Sequence, residues 1–289
     1  MTLTVVVDVG NFSTKYAFKN EGEIIAGSFS SVISPYKEVE GFESLDGVKR
    51  VAFGGFDYYS GEGAKNFYSG NEDRMYFGNI RKGHHEAQIR LTRALHEIYL
   101  KTNERTFNLI LTSPYPSMKD DKEYFTQLFL GMKVAYIDSV PFEFEIKNIL
   151  VAAEGLGATN YTDKKNIVIV DAGSMTTNVL YLINGSISKQ DSLTLNGGTL
   201  RNTAWDLSNQ VAKSCPHIEY KYPIICTGGT AKEMKEALER LGYLDVSVCT
   251  SEDFEEYYSN SVGLLAKYGN KFEEIFSWKK MMSSCTNWT

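Results

Sequence analysis

Two stretches of the chain combine an acid, a glycine and small hydroxyl residues at the same spacing: VVVDVGNFSTKYAF at 5–18 and VIVDAGSMTTNVLY at 168–181. In each, an apolar run ends on an aspartate, Asp8 or Asp171. A glycine follows two positions later, Gly10 or Gly173, and a second apolar run comes after the hydroxyls. A glycine turn brings backbone N–H groups close to phosphate oxygens. Ser13, Thr14, Thr176 and Thr177 add hydroxyl donors. An aspartate just ahead of such a turn repels phosphate but suits Mg2+ held through water, the ion then bridging to the phosphates. Two such turns face to face would grip a polyphosphate from both sides. Lys15, present only in the first copy, adds a cation.

Either stretch alone reads as an ordinary β-hairpin, because motifs this short recur by chance. Repetition shifts the balance. The two aspartates lie 163 positions apart, and the flanking strands repeat with them. The first copy predicts strands at Leu3–Val7, Tyr16–Lys19 and Glu23–Gly27, with the turn NEG at 20–22. The second predicts Ile167–Val170, Thr177–Ile183 and Ser186–Lys189, with Asn184-Gly185 as a hairpin turn. Duplication of a phosphate-binding lobe accounts for both.

Two further glycine turns stand between predicted strands and helices. In CTGGT, 226–230, Thr227, Gly228 and Gly229 allow backbone to pack against a flat ring or ribose, although such a turn by itself is usually only tight. Asn196-Gly197-Gly198-Thr199 is equally a nucleotide contact or a helix cap.

These residues need elements to hold them. Residues 34–80, rich in Gly, Tyr and charge, suggest an irregular or small-strand insertion whose tyrosines at 57–76 pack rather than stack on a ligand. Helical spacing of Ile89, Leu91, Leu95 and Ile98 predicts an amphipathic helix over 84–102. FNLILTSPYP at 107–116 predicts a buried strand stopped by Pro114, 119–131 a helix, and the alternation at 142–147 an edge strand. LVAAEGLGA at 150–158 predicts a strand end entering a helix. Further helices are expected after the glycine turns at 197–198 and 228–229, the latter stopped by Gly242, and a last one over 260–276. The tail at 277–289 has no periodicity and is expected to be disordered. Arg81-Lys82 with Arg90 and Arg93 forms a basic cluster, expected to be a solvated face. His84-His85 is expected to be a solvated helix start, since adjacent helical side chains point apart.

With 30 Lys+Arg against 36 Asp+Glu, the net charge of −6 argues against strong direct DNA binding, which needs clustered cations. Cys215, Cys226, Cys249 and Cys285 form no Cys-x-x-Cys pair and are expected to be reduced thiols. The chain opens on a strand without a basic and apolar leader, and no apolar run approaches about 20 residues, so a soluble cytoplasmic protein is expected.

The motifs together resemble the actin/Hsp70/sugar-kinase ATPase superfamily, and most closely its bacterial plasmid-segregation actins. The resemblance lies in the first phosphate loop, Asp8-Val9-Gly10-Asn11-Phe12-Ser13-Thr14-Lys15, and the second, Asp171-Ala172-Gly173-Ser174-Met175-Thr176. It extends to the adenosine loop Thr227-Gly228-Gly229-Thr230 and to AAEGLGA and NSVGLLAKYG as connecting helices. It implies an α/β actin-like fold of two lobes, each with an RNase H-like mixed sheet flanked by helices. Residues 1–150 with 259–276 would form the first lobe and 151–258 the second. Asp171 and Gly228 lie only 57 positions apart, which leaves no room for the extra subdomain usual in actin's second lobe. The resemblance further implies ATP, with GTP as the alternative nucleotide, Mg2+ on Asp8 and Asp171, and catalytic roles for these two and for Glu154, which would orient the attacking water. Gly197 and Gly198 join the nucleotide contacts. The implied activity is ATP-driven assembly of head-to-tail filaments that segregate plasmid DNA through a DNA-binding adaptor, without direct specific DNA contact or membrane. A small-molecule kinase of the same superfamily is the alternative. A nucleotide-gated chaperone would need a substrate domain that the residues after Phe276 cannot supply.

Overall fold

The computed structural model describes residues 2–38, 47–67, 82–215, 222–250, 254, 256–269 and 271–272. Arg81, Cys285, the residues of the tyrosine-rich stretch beyond 67, and the tail at 277–289 lie outside the described residues.

Nine described strands form the first sheet: β1 Leu3–Val9, β2 Ser13–Asn20, β3 Glu23–Ser30, β4 Ile33–Pro35, β5 Lys49–Phe53, β6 Phe56–Ser60, β7 Thr106–Ser113, β8 Gly131–Ile137 and β9 Val140–Ala153. Their order is β3-β2-β1-β7-β9-β8-β5-β6-β4. The β1–β2–β3 meander is antiparallel, and β1, β7 and β9 run parallel. The apolar run of β1 is continuous because it is buried on both faces. Val5, Val7 and Val9 pack against helix α1 His85–Thr102, and Phe125 and Phe129 of α2 Met118–Phe129 join the same core. Val6 packs on the opposite side with Val262, Leu264 and Leu265.

The second sheet repeats this plan. It holds β10 Ile167–Ala172, β11 Thr177–Ile183, β12 Ser186–Ile187, β13 Leu193–Leu195, β14 Ile224–Thr227 and β15 Val246–Val248, in the order β12-β11-β10-β14-β15 with β13 on β11. Val168 and Val170 face α3 Ala204–Ser214 and α4 Ala231–Arg240, while Ile167 and Ile169 face Ala153 and Ala158. Among the described residues no subdomain intervenes between β11 and β14 beyond β12, β13 and α3. Helix α5 Ser259–Tyr268 then returns to the first sheet, packing with Val6, Ala17 and Ile110. No helix of the described residues is long and apolar enough to cross a membrane. Cys215, Cys226 and Cys249 are buried free thiols.

Four expectations need correction. The 142–147 segment belongs to the long inner strand β9, between β7 and β8. Its alternation arises because Phe142, Phe144 and Ile146 are buried while Glu143 is exposed, so one-sided burial imitates an edge. No α-helix follows Ala153. Gly155 adopts φ 85° and a 3-10 turn spans Leu156–Tyr161. Gly157 lies against the backbone of α5 so closely that a Cβ would stand 2.2 Å from the Asn260 carbonyl oxygen, and this crossing shapes the segment. The basic cluster is not a solvated face: Lys82, Arg90 and Arg93 are buried. Arg90 donates to the Ser31 carbonyl at 2.8 Å, and Arg93 donates to the Gly47 carbonyl at 3.1 Å. His84 is likewise no solvated helix start. Its partly buried ring caps α1 by accepting from the Ala87 N–H at 3.2 Å. Within the expected 34–80 insertion, the described residues form β4, β5 and β6, which extend the first sheet beyond β8, and a 3-10 turn at Glu62–Phe67.

Candidate functional site

The two expected phosphate loops fall at the β1–β2 and β10–β11 turns. Because the strands pair antiparallel, Asp8 lies opposite Lys15, and Asp171 occupies the matching place opposite Asn178. Each aspartate also has a threonine beside it on the parallel neighbour, Thr112 of β7 and Thr227 of β14. The duplication therefore extends from the loops to the positions flanking each carboxylate.

The side chains at those positions behave differently. Thr112 donates its hydroxyl to Asp8 Oδ1 at 2.7 Å, and Lys15 Nζ stands 3.6 Å from Asp8 Oδ2. Burial works to raise the Asp8 carboxyl, but Lys15, Lys82 and the Thr112 hydroxyl outweigh it and hold the group below its ordinary value. In the second copy Thr227 shares its hydroxyl with Ser259 at 2.6 Å, and Asn178 turns its amide to Glu154 Oε2 at 2.7 Å. Among the described residues no hydrogen bond or ion pair reaches the Asp171 carboxylate. Burial, reinforced by Glu154 and Asp8, pushes it up to about 7.

Glu154 closes the arrangement from the end of β9. Lys82 Nζ meets its Oε1 at 2.9 Å and also donates to the Val9 carbonyl at 2.5 Å. Burial would lower the Lys82 ammonium, but Glu154 and Asp8 raise it above its ordinary value. A buried pair of this kind persists only with such compensation.

A cavity of about 370 Å³ lies between the loops. Asp8, Gly10, Asn11, Phe12, Ser13 and Lys15 line it from the first copy, and Asp171, Gly173, Ser174, Met175 and Thr176 from the second. Gly228, Gly229 and Tyr257 close one side, with Lys15 Nζ 4.3 Å from the centre of the Tyr257 ring. An adjoining cavity of about 400 Å³ is lined by Lys82, Glu154, Gly197, Gly198 and Arg201.

Two hydroxyls expected to face phosphate, Thr14 and Thr177, do not, and the Thr227 hydroxyl of the expected nucleoside turn also points elsewhere. Thr14 is buried and shares its hydroxyl with Ser31 at 2.9 Å, Thr177 donates to the Gly197 carbonyl at 2.9 Å, and Thr227 is turned to Ser259. Alternation along a strand sends every second side chain inward, which accounts for Thr14 and Thr177. Ser13 lines the cavity but donates its hydroxyl to the Phe29 carbonyl at 3.2 Å. The 196–199 turn is not a helix cap, since Thr203 caps α3 with a capping box to Asp206. It clasps the second phosphate loop instead, Thr199 N–H donating to Gly173 at 3.0 Å and Leu200 N–H to Ser174 at 3.1 Å. A Cβ at Gly198 would stand 2.3 Å from the Ser174 carbonyl carbon.

Sequence reasoning missed Lys82, Thr112, Asn178 and Tyr257. Asn178 carried a signal, since alignment of the two hairpins places it against Lys15; Thr112 lies on β7, outside both hairpins. Lys82 and Tyr257 stand in no motif. The residues present suit Mg2+ held through water: two carboxylates from matched loops, one of them unneutralised, face one cavity. Among the described residues no group of three or more His, Cys, Asp or Glu side chains gathers into a direct metal cage.

Comparison with known proteins bears on the whole chain. Residues 6–157 match the family model for the N-terminal domain of actin-like proteins. The structure superposes on an AlfA filament bound to AMPPNP with a TM-score of 0.90 and 57% identity, over 96% of this chain and 100% of that one. A filament structure of AlfA from Bacillus subtilis plasmid pLS32 gives 0.88 and 57%, over 92% and 99%. An archaeal actin homologue in complex with ADP shares the fold at a TM-score of 0.65 and 16% identity, over 93% and 100%. No curated protein matches. With the family model spanning more than half of the chain and AlfA filaments matching at 57% identity, the chain belongs to the actin-like proteins and has their two-lobed α/β fold, with a reduced second lobe.

Proposed function

We propose that the protein is an ATPase that binds ATP and Mg2+ between the two phosphate loops and polymerises head to tail into filaments that segregate plasmid DNA. The observation that carries this reading is the pair of matched Asp–Gly hairpins lining one cavity, with Glu154 beside them. The likeness to AlfA filaments, one of them bound to AMPPNP, supports both the nucleotide and the assembly. Strand β9 runs within the first sheet to Ala153, so the lobe boundary falls after Glu154 rather than at 150: residues 1–154 with 259–276 act as one lobe and 155–258 as the other, and nucleotide draws them together. Asp8 and Asp171 hold Mg2+ through water, and the ion supplies charge neutralisation along the polyphosphate. Backbone N–H groups of both loops and Lys15 hold the phosphates. Gly228 and Gly229 pack against the nucleoside, and Glu154 orients the attacking water. Filaments of this kind are heterologous assemblies that do not close. The acidic net charge leaves DNA contact to a separate DNA-binding adaptor.

Sedimentation tests the reading. The protein pellets when ATP and Mg2+ are added with no other substrate and stays in the supernatant without nucleotide. Equal sedimentation with and without nucleotide, across a range of protein concentrations, overturns it. If a small-molecule kinase is the correct reading, ATP consumption depends on an added acceptor and no polymer forms.

A further inference from the structure

Lys82 lies outside every phosphate-loop motif, yet its ammonium sits between the first loop and Glu154. Its main chain is clamped from beneath. Buried Asp121 of α2 accepts from the Lys82 N–H at 3.0 Å and the Gly83 N–H at 2.8 Å, and Ser113 donates to the same carboxylate at 2.6 Å. A lysine held this way, with Nζ at 2.5 Å from the Val9 carbonyl and 2.9 Å from Glu154 Oε1, ties Glu154 to the backbone of the first phosphate loop. The other oxygen is held differently. Asn178, a neutral amide on β11 of the second sheet, takes Oε2 at 2.7 Å, and Thr194 in turn donates to the Asn178 carbonyl at 2.7 Å. Lys82, Val9 and Glu154 all belong to the first-sheet side, so they move together when the two sheets shift. The Asn178 contact crosses between sheets and is the one such a shift breaks.

We infer that Lys82 is a positioning residue for nucleotide hydrolysis: it fixes Glu154 through Oε1, so that Oε2, once parted from Asn178, is the oxygen that receives the proton of the attacking water. This rests on the water-orienting role proposed for Glu154. A carboxylate held by one oxygen keeps its direction while the lobes close, and an accurately placed base contributes far more to rate than a mobile one.

The test is a double-mutant cycle on the full chain with Lys82→Gln, Lys82→Met, Lys82→Arg, Glu154→Gln and the Lys82→Gln/Glu154→Gln double variant. ATP affinity, single-turnover phosphate release and melting temperature are measured for each. Lys82→Gln slows phosphate release at least tenfold and lowers ATP affinity by a smaller factor. Lys82→Arg recovers most of the rate, and the double variant is no slower than Glu154→Gln. Lys82→Met behaves as Lys82→Gln does; should it fail to fold, the neutral hydrogen-bonding Gln variant carries the comparison. The inference is overturned if the two slowings multiply in the double variant, or if Lys82→Gln releases phosphate at the wild-type rate. Glu154→Gln at the wild-type rate is a different result, and it overturns the role of Glu154 itself.

Discussion

Asp8 and Asp171 occupy the same place in two copies of one hairpin, yet only Asp8 is neutralised. Asp8 has Lys15 across the ladder and the Thr112 hydroxyl beside it. The corresponding residues at Asp171 are Asn178 and Thr227, and both are turned to other partners. The backbone is the same in both copies, and a different flanking residue at 178 and the turned hydroxyl at 227 leave the Asp171 carboxylate without a partner among the described residues. Stability given up in this way is common where a site is built to bind.

Asp171→Asn should therefore stabilise the nucleotide-free protein while weakening Mg2+-dependent nucleotide binding. The sign follows from the pKa. A carboxyl raised to about 7 in the folded state keeps a proton that the unfolded chain has lost, so stability falls as pH rises from about 4 to 7 and the full cost is present above that. Allowing for coupling to Glu154 and Asp8, the cost at neutral pH is on the order of 2 kcal/mol. Melting curves without nucleotide should show the variant roughly 5 °C above wild type at pH 7.5 and level with it near pH 4. ATP affinity in Mg2+ should drop by tenfold or more.

Thr112→Val should act in the opposite sense at the other aspartate. It removes a hydroxyl donor to a charged, buried carboxylate, at a cost of about 2 kcal/mol. Asp8 is held below its ordinary value, so this stability is present at neutral pH and is lost as pH falls through the folded-state value. Chemical denaturation across pH should show the gap between variant and wild type closing on acidification. A constant gap would mean that the hydroxyl serves packing rather than charge.

Glu154→Gln keeps the shape of the side chain but offers a single accepting oxygen, so it can accept from Lys82 or from Asn178 and not from both. ATP affinity should remain within a few fold of wild type while phosphate release slows by about 10² or more. Filaments should form and outlast wild-type filaments after ATP is withdrawn, a lifetime that light scattering or negative-stain microscopy can follow.

Gly198→Ala probes the clasp on the second phosphate loop. A Cβ placed 2.3 Å from the Ser174 carbonyl carbon meets backbone that cannot swing aside, so the loop itself must move. The variant should remain folded with a loss of about 1–3 kcal/mol. Titration calorimetry should show ATP affinity falling by more than tenfold. Unchanged affinity would separate the 196–199 turn from the nucleotide site.

The sequence by itself determined the duplication. Continuous apolar runs, the Asp-to-Gly spacing and the Asn184-Gly185 turn are local signals, because strand pairing within a hairpin involves residues only a few positions apart. They located both Asp–Gly hairpins and the two sheets that carry them. Tertiary structure decided what the flanking side chains do. Lys82 reaches Glu154 across 72 positions only because Asp121 clamps its backbone and β9 runs inside the sheet. The same charged residue types, Lys82, Arg90 and Arg93, suggest a solvated face when read from spacing alone. They are buried because distant carbonyls at Val9, Ser31 and Gly47 receive them. Thr112 and Thr227 are the same residue type at matched positions, and only the arrival of Ser259 on α5 turns one of them from its aspartate. Hydrogen-bond partners of buried polar groups are chosen by whichever elements pack around them, and that choice is written in no single stretch of the chain.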